Sequence, residues 1–225
     1  AALFAADAIG AGERTLRTNV GDLAVTVEPD GTVWMRQQPP TVDLVGGGDD
    51  SDAETGSLNA DRLGDALGID PAALRDVGAD LPVAVASTGL PWLVVPVNFL
   101  ERLGGADPDA AAIEAISAEY DVAGVYVFTF DTVEPESTLH GRAFAPAVGV
   151  DEDPVTGTAS GAVGGYLRAV DAFDGDLPDE VRFEQGHFID RPGYVRVHVG
   201  EPDDVSRDGD ENGDRNAADT GDTAV

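Results

Sequence analysis

The chain contains no cysteine and no lysine. Without cysteine it carries neither a disulfide framework nor a thiolate metal site. Without lysine its positive charge rests on 13 arginines, set against 43 acidic residues for a formal net charge of −30. Such a surface has little to neutralise phosphates, which argues against nucleic-acid binding. No run of about 18 apolar residues occurs, so no membrane-spanning segment is expected. No basic stretch followed by an apolar core stands at the start, so no signal peptide is expected either. The chain begins without methionine, at Ala1-Ala2-Leu3-Phe4, which looks like the middle of a helix, and a fragment is the expectation.

What is present is acid, and it is spread along the chain. Residues 201–225 hold nine acidic residues and two arginines, and most of the excess lies before them. A partner-binding acidic protein would concentrate its charge in a block. Dispersed self-repulsion is tolerable where salt screens it, which points to the cytoplasm of a salt-loving organism. At 225 residues the chain can hold one large domain or two small ones.

Taken in order, residues 1–10 have helical composition and stop at Gly10–Gly12. Leu23, Val25 and Val27 alternate with polar or small residues, and Pro29-Asp30-Gly31 then turns the chain into Val33–Arg36, a hairpin by period and turn chemistry. Residues 45–57 form a polar loop whose triple glycine lacks the lysine of a phosphate loop. Asn59–Leu67 and Pro71–Arg75 read as short helices, with Asn59 as a cap. Leu81–Ala86 and Pro91–Asn98 are strands around Ser87-Thr88-Gly89. Asp109–Tyr120 is a helix, and Gly124–Asp131 and Leu139–Ala145 are strands. Val181–Ile189 and Tyr194–Val199 form a hairpin, with Val195, Val197 and Val199 facing the core. Segregated short strands and helices argue an α+β fold.

The most informative stretch is Gly149 to Leu167, GVDEDPVTGTASGAVGGYL. Asp153-Pro154 reads as a turn or cap with proline just inside a helix start. The following helix, about 156–170, carries Ala159, Val163, Tyr166, Leu167 and Val170 at helical spacing. Gly161, Gly164 and Gly165 each cost about 1 kcal/mol relative to alanine in a helix interior. A helix that keeps them must be buried, with neighbours close to its backbone. The N–H groups of Gly157, Thr158 and Ala159 are orphans at its start, and the helix dipole adds partial positive charge. A substrate carboxylate is a natural guest there; an ordinary capped helix start is the plain alternative.

This stretch resembles the signature of the phenazine-biosynthesis isomerase (PhzF-like) family, whose wider relative is diaminopimelate epimerase. Thr18-Asn19-Val20-Gly21, Met35 to Pro39, Ser87 to Trp92, Arg142 to Pro146 and Gln185 to Pro192 fit in order, so the likeness spans residues 1 to about 199. It implies two lobes, each a curved, mostly antiparallel sheet around a central helix. Residues 1–97 would be a partial N-terminal lobe and residues 98–200 the C-terminal lobe, with a tail or insertion at 201–225. It implies proton transfer on a small carboxylated metabolite, no metal or organic cofactor, and a homodimer. Asp153 would be catalytic, holding substrate or assisting the proton. Gly157, Thr158, Ala159, Gln37, Ser87, Thr88, Gly89 and Arg142 would line the substrate cleft. The family's glutamate acid/base and its Gly-His pair would precede Ala1, and neither Glu13, Glu28 nor Glu54 sits in a matching motif. Diaminopimelate epimerase places a catalytic cysteine where this chain has Thr156. A hydroxyl cannot replace a thiolate as base near neutral pH, so two-cysteine racemisation is excluded.

Other features read as background. His140, His187 and His198 are scattered and read as surface or strand residues rather than ligands. Asp208 to Gly213 matches half of a calcium-binding loop but lacks helical flanks, and the tail from Glu201 reads as a charged, disordered segment. The competing functional class is a carboxylate-binding or subunit-assembly protein that kept the cleft and lost the base.

Overall fold

The computed structural model describes residues 2–18, 21–45, 58–78 and 81–200. In chain order they form α1 (Ala2–Ala5), β1 (Gly12–Thr18), β2 (Gly21–Val27), β3 (Val33–Met35), β4 (Thr41–Leu44), α2 (Ala60–Leu67), α3 (Pro71–Gly78), β5 (Ala84–Ser87) and β6 (Pro91–Pro96). Then follow α4 (Leu100–Gly104), α5 (Ala110–Tyr120), β7 (Val125–Thr129), β8 (Leu139–Ala145), β9 (Val150–Asp153), α6 (Gly157–Ala169), β10 (Glu180–Gln185) and β11 (Gly193–His198). Single 3-10 turns occupy Pro146–Val148 and His187–Ile189. Among the described residues no helix is long and apolar enough to cross a membrane.

The helix boundaries follow local chemistry. Asn59 accepts a hydrogen bond from the Arg62 N–H at the start of α2, which ends on left-handed Gly68. Asp109 accepts from Ala111 and Ala112 at the start of α5. The strands make two sheets, a small antiparallel one in order β1-β2-β3 and a large one in order β11-β10-β8-β7-β6-β5-β4, with β9 added alongside β8. Among the described strands only the pairs β6–β7 and β8–β10 are parallel. Trp34 of β3 joins the sheets, its ring 4.8 Å from that of His198 on β11 and covered by the Arg196 guanidinium.

Both faces of the large sheet are covered, which is why β7 and β8 are buried along their whole length. On one face Leu93, Val95, Val125, Val127 and Phe144 pack against Leu63, Leu67, Leu103, Ile113 and Ile116 from the helices α2, α4 and α5. On the other, Ala84, Ala86, Val94, Tyr126, Phe128 and Ala143 pack against Ala159, Ala162, Val163, Tyr166 and Leu167 of α6. The sheet curls so that β4, β5, β6 and β11 all touch α6. A Cβ at Gly161 would overlap the Gln37 amide, one at Gly164 would press on Val197, and one at Gly165 would overlap the Pro40 ring. The expected buried, glycine-bearing central helix is present for the expected reason.

One expectation needs correction. The helix after Asp153-Pro154 starts later: Thr156 is its N-cap and Gly157 its first residue, because β9 pairing with β8 keeps Asp153 in extended backbone. Gly12–Thr18, which carries no alternation signal, is a strand whose seven residues are all exposed. The large sheet runs across the 97/98 position, β6 and β7 pairing side by side, and holds strands from residues 41–96 and 125–198. The triple-glycine loop (46–57 of it), the calcium-loop likeness and the tail from Glu201 lie outside the described residues.

The parallel pairing of β8 with β10 sets His140 opposite Glu184, both fully buried. The His140 Nδ1 lies 2.7 Å from Glu184 Oε1, and the same carboxylate accepts the N–H groups of Val133 and Glu134. Burial raises the Glu184 pKa, but those N–H bonds and His140 outweigh it, so the net direction is down. For His140 burial dominates and lowers the pKa, against the opposing pull of Glu184. Both groups therefore bind protons more readily when unfolded. Their contribution to stability is complete above the unfolded values and is lost as pH falls through the folded ones.

Two outcomes follow. In Gly165→Ala the clash with Pro40 should outweigh the roughly 1 kcal/mol gain in helix propensity, since overpacking costs about 1–3 kcal/mol. Denaturant unfolding in molar salt should show a net loss, and a net gain would mean that the Pro40 segment yields. In an imidazole NMR titration His140 should protonate with a midpoint below its ordinary 6.5; a midpoint above that value contradicts the packing described.

Candidate functional site

Asp153 ends β9 opposite Ala143, on the face of the sheet that meets α6. Three residues on, the Thr156 hydroxyl donates to Asp153 Oδ2 at 2.8 Å instead of capping its own helix. Gln185, buried at the end of β10, holds this arrangement from the other side. Its Oε1 accepts the Thr156 N–H, and its Nε2 donates to the Thr156 hydroxyl and to the Asp153 carbonyl. Each of these contacts joins residues that are remote in sequence or separated by a turn, so the site is assembled by sheet pairing.

With the Thr156 side chain engaged, the first intrahelical bond of α6 runs from Ser160 N–H to Thr156 C=O at 3.0 Å. The N–H groups of Gly157, Thr158 and Ala159 find no acceptor among the described residues. They lie at the positive end of a 13-residue helix. Gly157 and Thr158 are half-buried, Ala159 is buried, and a Cβ at Gly157 would meet open space. A carboxylate or a developing enolate oxygen is the complementary guest.

The segment before β4 clamps the first turn of α6. Gln37 Nε2 donates to the Gly157 carbonyl at 3.0 Å, and the Thr88 hydroxyl donates to Gln37 Oε1. Both side chains thus bind the helix and each other. Ser87 accepts the Gly89 N–H, closing the turn between β5 and β6, where Gly89 has φ +123°. The structure brings Asp153, Gly157, Thr158, Ala159, Gln37 and Thr88 together, with Ser87 and Gly89 shaping the adjoining turn.

Arg142 lies elsewhere. Its neighbour Ala143 points toward α6, and alternation along β8 sends Arg142 to the opposite face, beside Phe144. There the guanidinium makes a two-bonded pair with Glu152 at 2.9 and 2.8 Å and donates to the carbonyls of Leu103 and Ala106. With its donors taken up by the protein, it positions β9 and so the residue next to Glu152, which is Asp153. Sequence reasoning missed Gln185 and the orienting role of Thr156. The signal for Gln185 was its place at the head of the Gln185–Pro192 segment.

Two cavities lie away from this cradle. One of about 130 Å³ is lined by Val77, Asn98, Phe99 and Phe130 among others, and one of about 320 Å³ by Val42, Leu44, Pro82, Ala169 and Val170. Neither includes a residue of the α6 N-terminus.

The family profile described as "Phenazine biosynthesis-like protein" matches residues 1–213. A Bacillus subtilis protein named the uncharacterized isomerase YfhB is 38% identical over 141 residues, which cover 62% of this chain and 46% of that protein. A Deinococcus radiodurans protein, also named an uncharacterized isomerase, is 37% identical over 143 residues, covering 61% and 43%. The chain thus spans less than half the length of these relatives. Among solved structures, a Bacillus anthracis phenazine biosynthesis protein of the PhzF family has a TM-score of 0.71 at 27% identity, covering 88% of this chain and 64% of that one. A predicted epimerase from Pseudomonas aeruginosa has a TM-score of 0.52 at 25% identity, covering 83% and 55%. These likenesses bear out the expected α+β architecture of a curled sheet around a central helix.

Removing Arg142 should act on stability. Arg142→Met strands a Glu152 carboxylate that is mostly buried (side chain 12% exposed), and breaking such a pair costs about 3–5 kcal/mol. The double variant Arg142→Met/Glu152→Leu should recover much of that in denaturant titration. An Arg142→Met chain of unchanged stability would show that the pair does not anchor β9.

Proposed function

The chain belongs to the phenazine biosynthesis-like family, and from that premise we propose that the whole protein is an isomerase moving a proton on a small carboxylated metabolite. The observation that carries this reading is the row of unpartnered amides at Gly157, Thr158 and Ala159 beside the Asp153 carboxylate. In the proposed reaction the amides accept the substrate carboxylate, or the oxygen on which charge develops when the adjacent C–H bond ionises. They are held in place before the reaction, by the α6 backbone and by the Gln37–Thr88 clamp.

Asp153 has one oxygen occupied by the Thr156 hydroxyl, while Oδ1 receives no hydrogen bond from any described residue. That second oxygen is the one we assign to the substrate, as a hydrogen-bond acceptor or proton carrier. Gln185 fixes the Thr156 rotamer and thereby the carboxylate. The partner acid/base is, by the family resemblance, a glutamate in a segment that would precede Ala1. The reaction in this reading needs no metal and no organic cofactor. The acid-rich composition favours a cytoplasmic setting at high salt, and a homodimer is the expected assembly.

The test uses the chain extended by its upstream coding sequence. Solvent deuterium should enter small carboxylates bearing an acidic C–H, followed by mass spectrometry or NMR. Asp153→Asn should slow exchange by about 10²- to 10⁴-fold, the usual scale for a general acid/base. Unaltered exchange in that variant removes Asp153 from the mechanism. An extended chain that binds carboxylates at the cradle without any exchange supports the binding protein instead.

A further inference from the structure

Two histidines far apart in sequence meet where β8 begins and β10 ends. The two oxygens of Glu184 already accept the Val133 and Glu134 N–H groups, and His140 Nδ1 meets the same carboxylate at 2.7 Å as a donor. With Nδ1 engaged in that bond, the other ring nitrogen, Nε2, is buried with no hydrogen-bond partner among the described residues. His187 Nδ1 is buried and partnerless in the same way. The two rings stand 5.0 Å apart between centroids, tilted by 52°. Potential ligand atoms of His140, Glu184 and His187 lie within 4.8 Å of one another. Phe188 packs 5.0 Å from the His140 ring and Tyr194 lies 6.2 Å from that of His187, so the site has an aromatic wall.

Buried imidazole nitrogens without partners are uncommon and call for an occupant. Glu184 is poorly suited to bind one directly. Its Oε1 already accepts from His140 and Val133, and its Oε2 from Glu134. What it does instead is orient His140 in the manner of a carboxylate behind a metal-binding histidine, fixing the tautomer that leaves Nε2 free. We propose that His140 Nε2 and His187 Nδ1 bind a divalent transition-metal ion, zinc by preference, with Glu184 as the outer partner of His140 and water completing the coordination.

The donor chemistry selects the ion. Imidazole nitrogens suit zinc, copper and nickel, whereas magnesium and calcium prefer the carboxylates that cover this chain. Tetrahedral zinc, with nitrogens at about 2.0–2.1 Å, needs its two donors about 3.4 Å apart, so binding requires the His187 ring to turn toward His140. His187 has the freedom to do so: it opens a single 3-10 turn between left-handed Gly186 and Asp190 and is only partly buried, which also gives the ion a way in. Bound there, the ion ties the turn after β10 to β8. Gln185, two residues earlier, holds Asp153 and Thr156, so the ion stiffens the support of the cradle and takes no part in proton transfer.

The experiment titrates the chelator-treated full chain with zinc by calorimetry, in high salt and excess magnesium to saturate surface carboxylates. One zinc per chain is expected, with a rise in thermal midpoint. His187→Gln, which removes a side chain whose Nδ1 has no partner, should weaken binding about tenfold or more while leaving the metal-free midpoint unchanged. His198→Gln, at an exposed histidine beside Glu180, should leave binding intact. In imidazole NMR of the unaltered chain, zinc should move the His140 and His187 signals and spare that of His198. Absence of stoichiometric binding over the magnesium background, binding indifferent to His187→Gln, or unmoved His140 and His187 signals would each overturn the proposal.

Discussion

The approach of other chain segments to the backbone of α6 is the constraint on which the rest depends. Gly161, Gly164 and Gly165 leave room for Gln37, Val197 and Pro40, and a methyl group at any of the three would displace a neighbour. The helix sacrifices propensity at those positions and gains a wall of strands on several sides. Because α6 is held this tightly, its first turn cannot shift, and the three amides keep their orientation. The positive end of the helix therefore works as a fixed electrostatic feature, in a chain whose net charge is strongly negative.

The large sheet separates chemistry from support by its pleat alone. Neighbouring residues on β8 and β9 go to opposite faces. Ala143 and Asp153 share the α6 side, while Arg142 and Glu152 share the side covered by α2 to α5. The ion pair on one face anchors the strand whose last residue carries the carboxylate on the other. A side chain with the charge expected of a substrate clamp is thus consumed in holding the scaffold. The carboxylate cluster Asp151-Glu152-Asp153, uniform in sequence, divides the same way: Asp151 is exposed to solvent, Glu152 is paired and Asp153 is oriented toward the cradle.

Much of the fold was legible in the chain. Asn59 and Asp109 mark helix starts because a short polar side chain caps the backbone N–H groups beside it. The alternation from Tyr194 to Val199 marks β11 because only one of its faces is covered. Three glycines in a helical pattern announced close packing around α6. The strand Gly12–Thr18 escaped notice because it lies exposed on both faces and so carries no period. Within the site, the residues at the motif itself were readable, whereas Gln185 was not, since its role comes from β10 lying near the turn between β9 and α6.

The sequence by itself determined the elements with a local cause: capped helices, alternating strands, and a buried helix whose first amides lack acceptors. Tertiary structure alone decided which side of the sheet Arg142 faces, where α6 begins, and that His140 and His187 meet over Glu184. The physical reason is one of range. Caps, turns and periodicity are interactions among near neighbours, written in adjacent residues. Facing and pairing depend on strand register, which is settled only when distant segments compete for the same hydrogen bonds and the same space.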